Sequence, residues 1–289
     1  MDNLRGAVLM VVSMLAFAVE DMFIKLLAVT LPIGQILFML GAGGALAFAI
    51  AVLVQGDRLF VPVMLSVPIG LRAAGEFIGT LGFISAIALT PLSSASAILQ
   101  ATPLVVTMGA ALFLGEAVGI RRWGAICVGL IGVLFIIRPG TDSFEPLSLL
   151  ALLAVFGLGI RDLATRRVPS TISTMQLSFL GFLVVVPAGV LLALLSGQPF
   201  IALSTQTWIY FGAAFVVGLF AYYGIVAAMR VGEVSFVTPF RYTRLVFAMG
   251  IGLVVFNEAP DAFTYLGAAI IVASGIYTVW RERIVALAA

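Results

Sequence analysis

The feature that most constrains this chain is a succession of apolar runs, each about as long as a bilayer is thick. A helix needs ~20 apolar residues to cross the hydrocarbon core, and such runs follow one another almost without pause between residues 5 and 280. Breaks at proline, glycine and charge clusters divide them into ten spans, roughly 5–28, 33–54, 67–89, 93–114, 120–138, 146–164, 173–195, 207–229, 235–256 and 262–280. Charged residues make up only 10% of the 289, against about a quarter in a soluble domain. A single aqueous core has no use for so much apolar surface, whereas lipid demands it. Backbone groups in lipid must be satisfied within each segment. The expected fold is therefore an all-α integral membrane protein of ten transmembrane helices.

Several function classes are excluded by composition. The chain has one cysteine, Cys127, and no histidine, which removes an internal disulfide, a Cys–His metal site and any His-based catalytic unit. No metal or cofactor is expected. With 15 basic and 13 acidic residues and no basic tail, it does not read as a nucleic-acid binder. No Gly-rich Lys-Ser/Thr loop is present, so ATP is not the direct energy source.

Orientation follows from the basic residues in short loops. Arg5, Arg58, Arg121, Arg122, Arg166, Arg167, Arg230, Arg281 and Arg283 fall on one side, against only Arg138 and Lys25 on the other. An even number of spans then places both termini in the cytoplasm and the protein in a bacterial inner (cytoplasmic) membrane.

The two halves resemble each other. The stretch SASAILQATPLVVTMGAALFLGEAV (94–118) lies over FVTPFRYTRLVFAMGIGLVVFNEAP (236–260) at a shift of 142, aligning Glu116 with Glu258. One further residue of slippage aligns Gly124 with Gly267 and Gly132 with Gly275. Upstream, VEDMFIK (19–25) matches IRDLATR (160–166) at a shift of 141, pairing Asp21 with Asp162 and Lys25 with Arg166. The near-constant offset over five spans defines a repeat. Five is odd, so the halves insert in opposite directions, with Glu116 facing the cytoplasm and Glu258 the outside. Inverted repeats are a feature of many secondary transporters, whose substrates bind near the midplane between the halves.

Each half ends in an LFLGE-like or VVFNE-like turn before a Gly-containing last span, and a basic residue, Lys25 or Arg166, closes its first span. In these respects the chain resembles the EamA-type drug/metabolite transporters over nearly its whole length. The resemblance implies two EamA-like five-helix repeats, 5–138 and 146–280, and a transport role. Two departures stand out. Arg241 and Arg244 occupy the places of Leu99 and Thr102, and the aromatic of the first span is Phe17 rather than Trp.

Ionisable side chains at bilayer depth cost ~2.5–3.5 kcal/mol on insertion scales and usually face the protein interior or water. The candidates are Glu20, Asp21, Arg72, Glu76, Arg241 and Arg244. Arg72 and Glu76 are four apart on one helix face; they read either as a buried intrahelical pair or as the lining of a polar cavity. Arg241 and Arg244 are three apart, with Tyr242 to the side. All four charged groups lie ~8–15 Å from the cytoplasmic side by helix rise. Two arginines exceed what Glu76 alone can satisfy, so Glu20, Asp21 or an anionic substrate group completes the set; arginine suits bidentate binding of carboxylate or phosphate. Pro103 and Pro239 interrupt spans 4 and 9, and breaks of this kind often flank transporter sites. Asp21 and Lys25, with their counterparts Asp162 and Arg166, are read as gates at opposite rims, or as simple interface anchors.

The expected activity is secondary transport of a small organic metabolite by alternating access. Its cargo is anionic, zwitterionic or amphipathic: an amino acid, a carboxylate, or a vitamin such as riboflavin. Substrate contacts are expected from Arg72, Glu76, Arg241, Tyr242, Arg244 and Glu20. Proton coupling would use Glu20, Asp21 or Glu76, and assembly as a homodimer is a further expectation. The alternatives are an integral-membrane enzyme acting on lipid-like substrates and a channel or other non-transporting membrane subunit.

Overall fold

The computed structural model describes residues 2–115, 118–169, 171–231 and 237–288. Its elements are α1 (Asp2–Ala28), α2 (Ile33–Val54), α3 (Val67–Leu89), α4 (Leu92–Leu99), α5 (Thr102–Phe113), α6 (Ile120–Ile137), α7 (Leu149–Thr165), α8 (Thr174–Ser196), α9 (Thr205–Val231), a 3-10 turn at Thr238–Tyr242, α10 (Thr243–Val255) and α11 (Ala262–Ala288). No strand occurs among the described residues. Nine described segments are long and apolar enough to cross a membrane. The tenth expected span, 235–256, lies partly outside the described residues, as does Glu116.

Local chemistry sets the joints. Pro32 and Pro91 precede α2 and α4, where a missing N–H costs nothing. A capping box between Ser173 and Gln176 starts α8.

Spans 4 and 9 are both broken where Pro103 and Pro239 interrupt them. Pro103 cannot donate to the Leu99 carbonyl, and the hydroxyl of Thr102 bonds that carbonyl instead, at 2.7 Å. In the second half, the hydroxyl of Thr243 donates to the Phe240 carbonyl at the same distance, where the 3-10 turn passes into α10. The two breaks face each other, for the Gln100 side-chain amide donates to the Arg241 carbonyl at 3.3 Å. Beyond them the repeat offset reappears in the backbone: Gly115 (φ 70°) and Asn257 (φ 50°) both take left-handed conformations.

The architecture is two inverted five-helix repeats, and its most extensive contacts run between the repeats. α2 packs on α8, α1 on α9, α3 on α7 and α6 on α11. Applying the repeat offset turns the α1–α9 pair into α7–α3, so these are two copies of one interface. Close approach is built from small residues, as expected where lipid supplies no hydrophobic drive between helices. A Cβ on Gly157 of α7 would lie 2.4 Å from the Gly79 nitrogen of α3. Interleaved this way, neither repeat has a core of its own: Val155 and Ala151 of the second pack with Ile84, Ile87 and Ile98 of the first.

Candidate functional site

Four of the helix segments that meet at the repeat interface carry buried charge. α1 brings Glu20 and Asp21, α3 brings Arg72 and Glu76, α7 brings Arg161 and Asp162, and the broken span brings Arg241 and Arg244. Together they form a charged seam.

At its centre, Asp21 is only 2% exposed. The Arg244 guanidinium grips its carboxylate as a fork, Nη2 donating to Oδ1 at 2.9 Å and to Oδ2 at 2.8 Å, and Nε donating to Oδ2 at 3.2 Å. The guanidinium also lies 4.9 Å from the Phe17 ring centre and 5.3 Å from that of Phe83. Arginine is suited to this setting because its planar cation stacks on rings while bonding a carboxylate in plane. The phenylalanine in α1 thus has a role as a ring partner for Arg244.

Glu20, one residue earlier, points to a different neighbour because successive helix residues are ~100° apart. Its carboxylate lies over Gly218 of α9, where a Cβ would come within 2.5 Å of Oε1.

A second group forms a chain. Arg72 Nη2 lies 3.8 Å from Glu76 Oε2. Glu76 Oε1 accepts from Arg161 Nη1 at 3.3 Å and from Thr80 at 3.2 Å. Arg161 in turn bonds Asp162 through Nε at 2.8 Å. Gly181 of α8 leaves room for this chain, with Glu76 Oε2 3.3 Å from where its Cβ would stand.

The Arg241 guanidinium has no hydrogen bond or ion pair among the described residues. It interacts electrostatically with Asp162, Arg161 and Arg244. Tyr242 is 5% exposed. Its ring lies against Gly275 of α11, and its hydroxyl has no hydrogen-bond partner among the described residues.

A third cluster sits at the end of the bundle where α1 finishes. Lys25 Nζ donates to the Ile87 carbonyl at 3.1 Å and the Thr90 carbonyl at 2.5 Å, at the C-terminal end of α3. It also lies 3.5 Å from Glu258 Oε1. Glu258 in turn accepts from the Leu92 amide (2.6 Å), the Ser93 amide (2.9 Å) and the Ser93 hydroxyl (2.7 Å) at the start of α4. A cation thus sits on a helix C-terminus and an anion on a helix N-terminus, each where the backbone dipoles favour it. Left-handed Asn257 turns the chain so that the Glu258 amide donates back to the Gly252 carbonyl at 2.9 Å. The same end carries an Arg138–Asp261 pair at 2.6 Å. Burial alone would raise the Asp261 carboxyl, but hydrogen bonds from the Thr264 amide and hydroxyl and from Arg138 hold it below the usual carboxylate range. Arg166 is exposed at the opposite end, where α7 finishes.

The structure therefore distributes the expected site residues over three places. Asp21 is paired in the seam, Lys25 belongs to the latch at one rim, and Arg72 and Glu76 join Arg161 and Asp162. Glu258 is a polar contributor that sequence reasoning used only as an alignment mark, and Arg161 one that it grouped with Asp162 and Arg166 as a gate cluster rather than with the interior site. Their signal was present: Arg161 breaks the sign pattern opposite Glu20, and Glu258 closes its span.

A family model described as the EamA-like transporter family matches residues 4–138 and again 146–280. The chain belongs to the EamA-like transporter family. The riboflavin transporter of Vibrio cholerae is 34% identical over 199 residues, spanning 67% of this chain and 64% of that relative's length. The pseudopaline exporter of Pseudomonas aeruginosa is 28% identical over 282 residues, 96% of both chains. A protein crystal structure superimposes with a TM-score of 0.58 at 19% identity, covering 94% of this chain and 98% of that one, and so has the same fold.

Proposed function

We propose that this EamA-like protein is a secondary carrier of a bacterial cytoplasmic membrane, with both termini inside, moving a small organic metabolite by alternating access. One observation carries the reading: two broken spans, one from each inverted repeat, meet through Gln100 and the Arg241 backbone beside a buried arginine–carboxylate seam. Irregular backbone at membrane depth is tolerated where it borders a protected polar site, and carriers place their sites where such breaks converge. The similar proteins with transport names, one for riboflavin and one an exporter of pseudopaline, agree with the class while differing in cargo.

Each residue set has a role in this cycle. Arg72, Glu76, Glu20, Arg241 and Arg244 present charge to the cargo, and the Tyr242 hydroxyl is a buried neutral donor. Lys25 and Glu258 staple α1, α3, α4 and the turn before α11, closing the outer rim in this conformation. Arg166 acts at the inner rim, and Asp162 gates from the seam through its pairing with Arg161. Asp21 exchanges Arg244 between itself and the cargo, and Glu20 accepts the proton of any proton-coupled step.

Counterflow in proteoliposomes tests the reading. Preloaded amino acids, carboxylates or riboflavin should drive uptake of the labelled compound. Absence of counterflow across the whole panel would sink it.

A further inference from the structure

The seam contains four acidic groups (Glu20, Asp21, Glu76, Asp162) and four basic ones (Arg72, Arg161, Arg241, Arg244). Pairing consumes six of them in two neutral sets. Asp21 with Arg244 is the first. Arg72, Glu76, Arg161 and Asp162 form the second, since Glu76 bridges the two arginines and Arg161 also holds Asp162. The two left over have opposite sign. Among the described residues neither the Glu20 carboxylate nor the Arg241 guanidinium has a hydrogen-bond or ion-pair partner. Both are half-buried; Glu20 interacts electrostatically with Asp21 and Arg244, and Arg241 with Asp162, Arg161 and Arg244.

An unpaired charge in a low-dielectric site is expensive, and a partner that cancels it is correspondingly favoured. A cargo carrying one charge would satisfy one of these groups and leave the other as it was. A neutral cargo would satisfy neither. We infer that the cargo is an organic zwitterion, its carboxylate held by Arg241 and its ammonium by Glu20. The assignment rests on the carrier reading above and narrows its substrate class.

The sign pattern is asymmetric between the repeats. The position matching Glu20 is Arg161, and those matching Arg241 and Arg244 at the 142 shift are Leu99 and Thr102. The two unpaired charges are thus a property of this one site, absent from its mirror copy.

Counterflow with matched derivatives tests it. The probes are the twenty protein amino acids and 5-aminovalerate, each beside its carboxamide (cationic) and its N-acetyl form (anionic), with riboflavin as a neutral probe. The expected result is preference for at least one free zwitterion over both derivatives by about tenfold or more, the penalty for leaving a built polar contact unmade. Arg241→Gln should collapse the preference for free acid over carboxamide to about one while keeping the preference for free amine over N-acetyl. Glu20→Gln should do the reverse. Arg241→Lys and Glu20→Asp, which keep the charges, should retain most of the discrimination, and the preference that each glutamine variant keeps shows that it is folded. Wild-type preference ratios in both glutamine variants would overturn the assignment. Counterflow of riboflavin alone would overturn it while leaving the carrier reading intact. Counterflow of nothing in the panel would overturn both.

Discussion

Asp21→Asn removes the carboxylate that three guanidinium hydrogen bonds of 2.8–3.2 Å converge on. The asparagine oxygen can accept one of them, but its amide nitrogen turns donors toward a donor. Arg244 is left as an uncompensated cation whose side chain is 17% exposed. Breaking a buried pair by removing one partner costs ~3–5 kcal/mol. Contacts with Phe17 and Phe83 are present before and after the substitution and so leave this difference unchanged. A loss of ~3–5 kcal/mol, at ~2–4 °C per kcal/mol, lowers the melting temperature in detergent by about 6–20 °C. The double variant Asp21→Asn/Arg244→Gln removes the stranded charge as well and should recover more than half of that loss. Melting of the wild type, both single variants and the double variant by intrinsic fluorescence gives the full cycle. A melting temperature within about 2 °C of wild type for Asp21→Asn, or a double variant as unstable as the sum of the singles, would refute the claim that this pair holds α1 to α10.

Three further outcomes are expected. Glu258→Gln weakens acceptance from the Leu92 and Ser93 amides and the contact with Lys25. Hydrogen exchange at those two amides should accelerate by about tenfold or more, consistent with losing ~1.5–3 kcal/mol per charge-assisted bond, while exchange in α8 stays unchanged. Gly157→Leu drives a side chain into Gly79, whose nitrogen lies 2.4 Å from the Cβ position; the α3–α7 contact cannot form, and yield of monodisperse protein should fall severalfold. Asp261 has a folded pKa below its ordinary 3.8, so its contribution to stability is present above that value and fades as pH falls through the lower, folded pKa. The stability difference between wild type and Asp261→Asn should therefore be constant from pH 5 to 7 and vanish at the acid end of a denaturation series. Because that side chain is 43% exposed, the difference is small throughout.

Much of this arrangement is readable from particular residues. Pro103 and Pro239 mark the two breaks, because a proline nitrogen has no hydrogen to donate wherever it sits in a helix. The matched Gly115 and Asn257 mark the span ends, since each turn there needs a residue that tolerates positive φ. Pairing choices are another matter. Asp21 and Asp162 align in the repeat, yet one binds Arg244 from the opposite half and the other binds its own neighbour Arg161. Spacing along a helix sets only which face a side chain shares. Which of several arginines it reaches depends on how α1, α3, α7 and α10 approach one another.

The amino-acid sequence by itself determined that this chain spans a membrane ten times in two inverted halves. Apolar length, loop arginines and an internal offset are local or additive properties that need no packing to express. Only the tertiary structure decided that six interior charges cancel in two groups, that Glu20 and Arg241 are left over, and that Lys25 meets Glu258 across the α3–α4 corner. Those outcomes depend on contacts between residues far apart in the chain and on glycines such as Gly157, Gly181 and Gly218 that let helices or charged side chains close in. Coulomb and hydrogen-bond energies change steeply over a few ångströms, and distances that short exist only once the helices are packed.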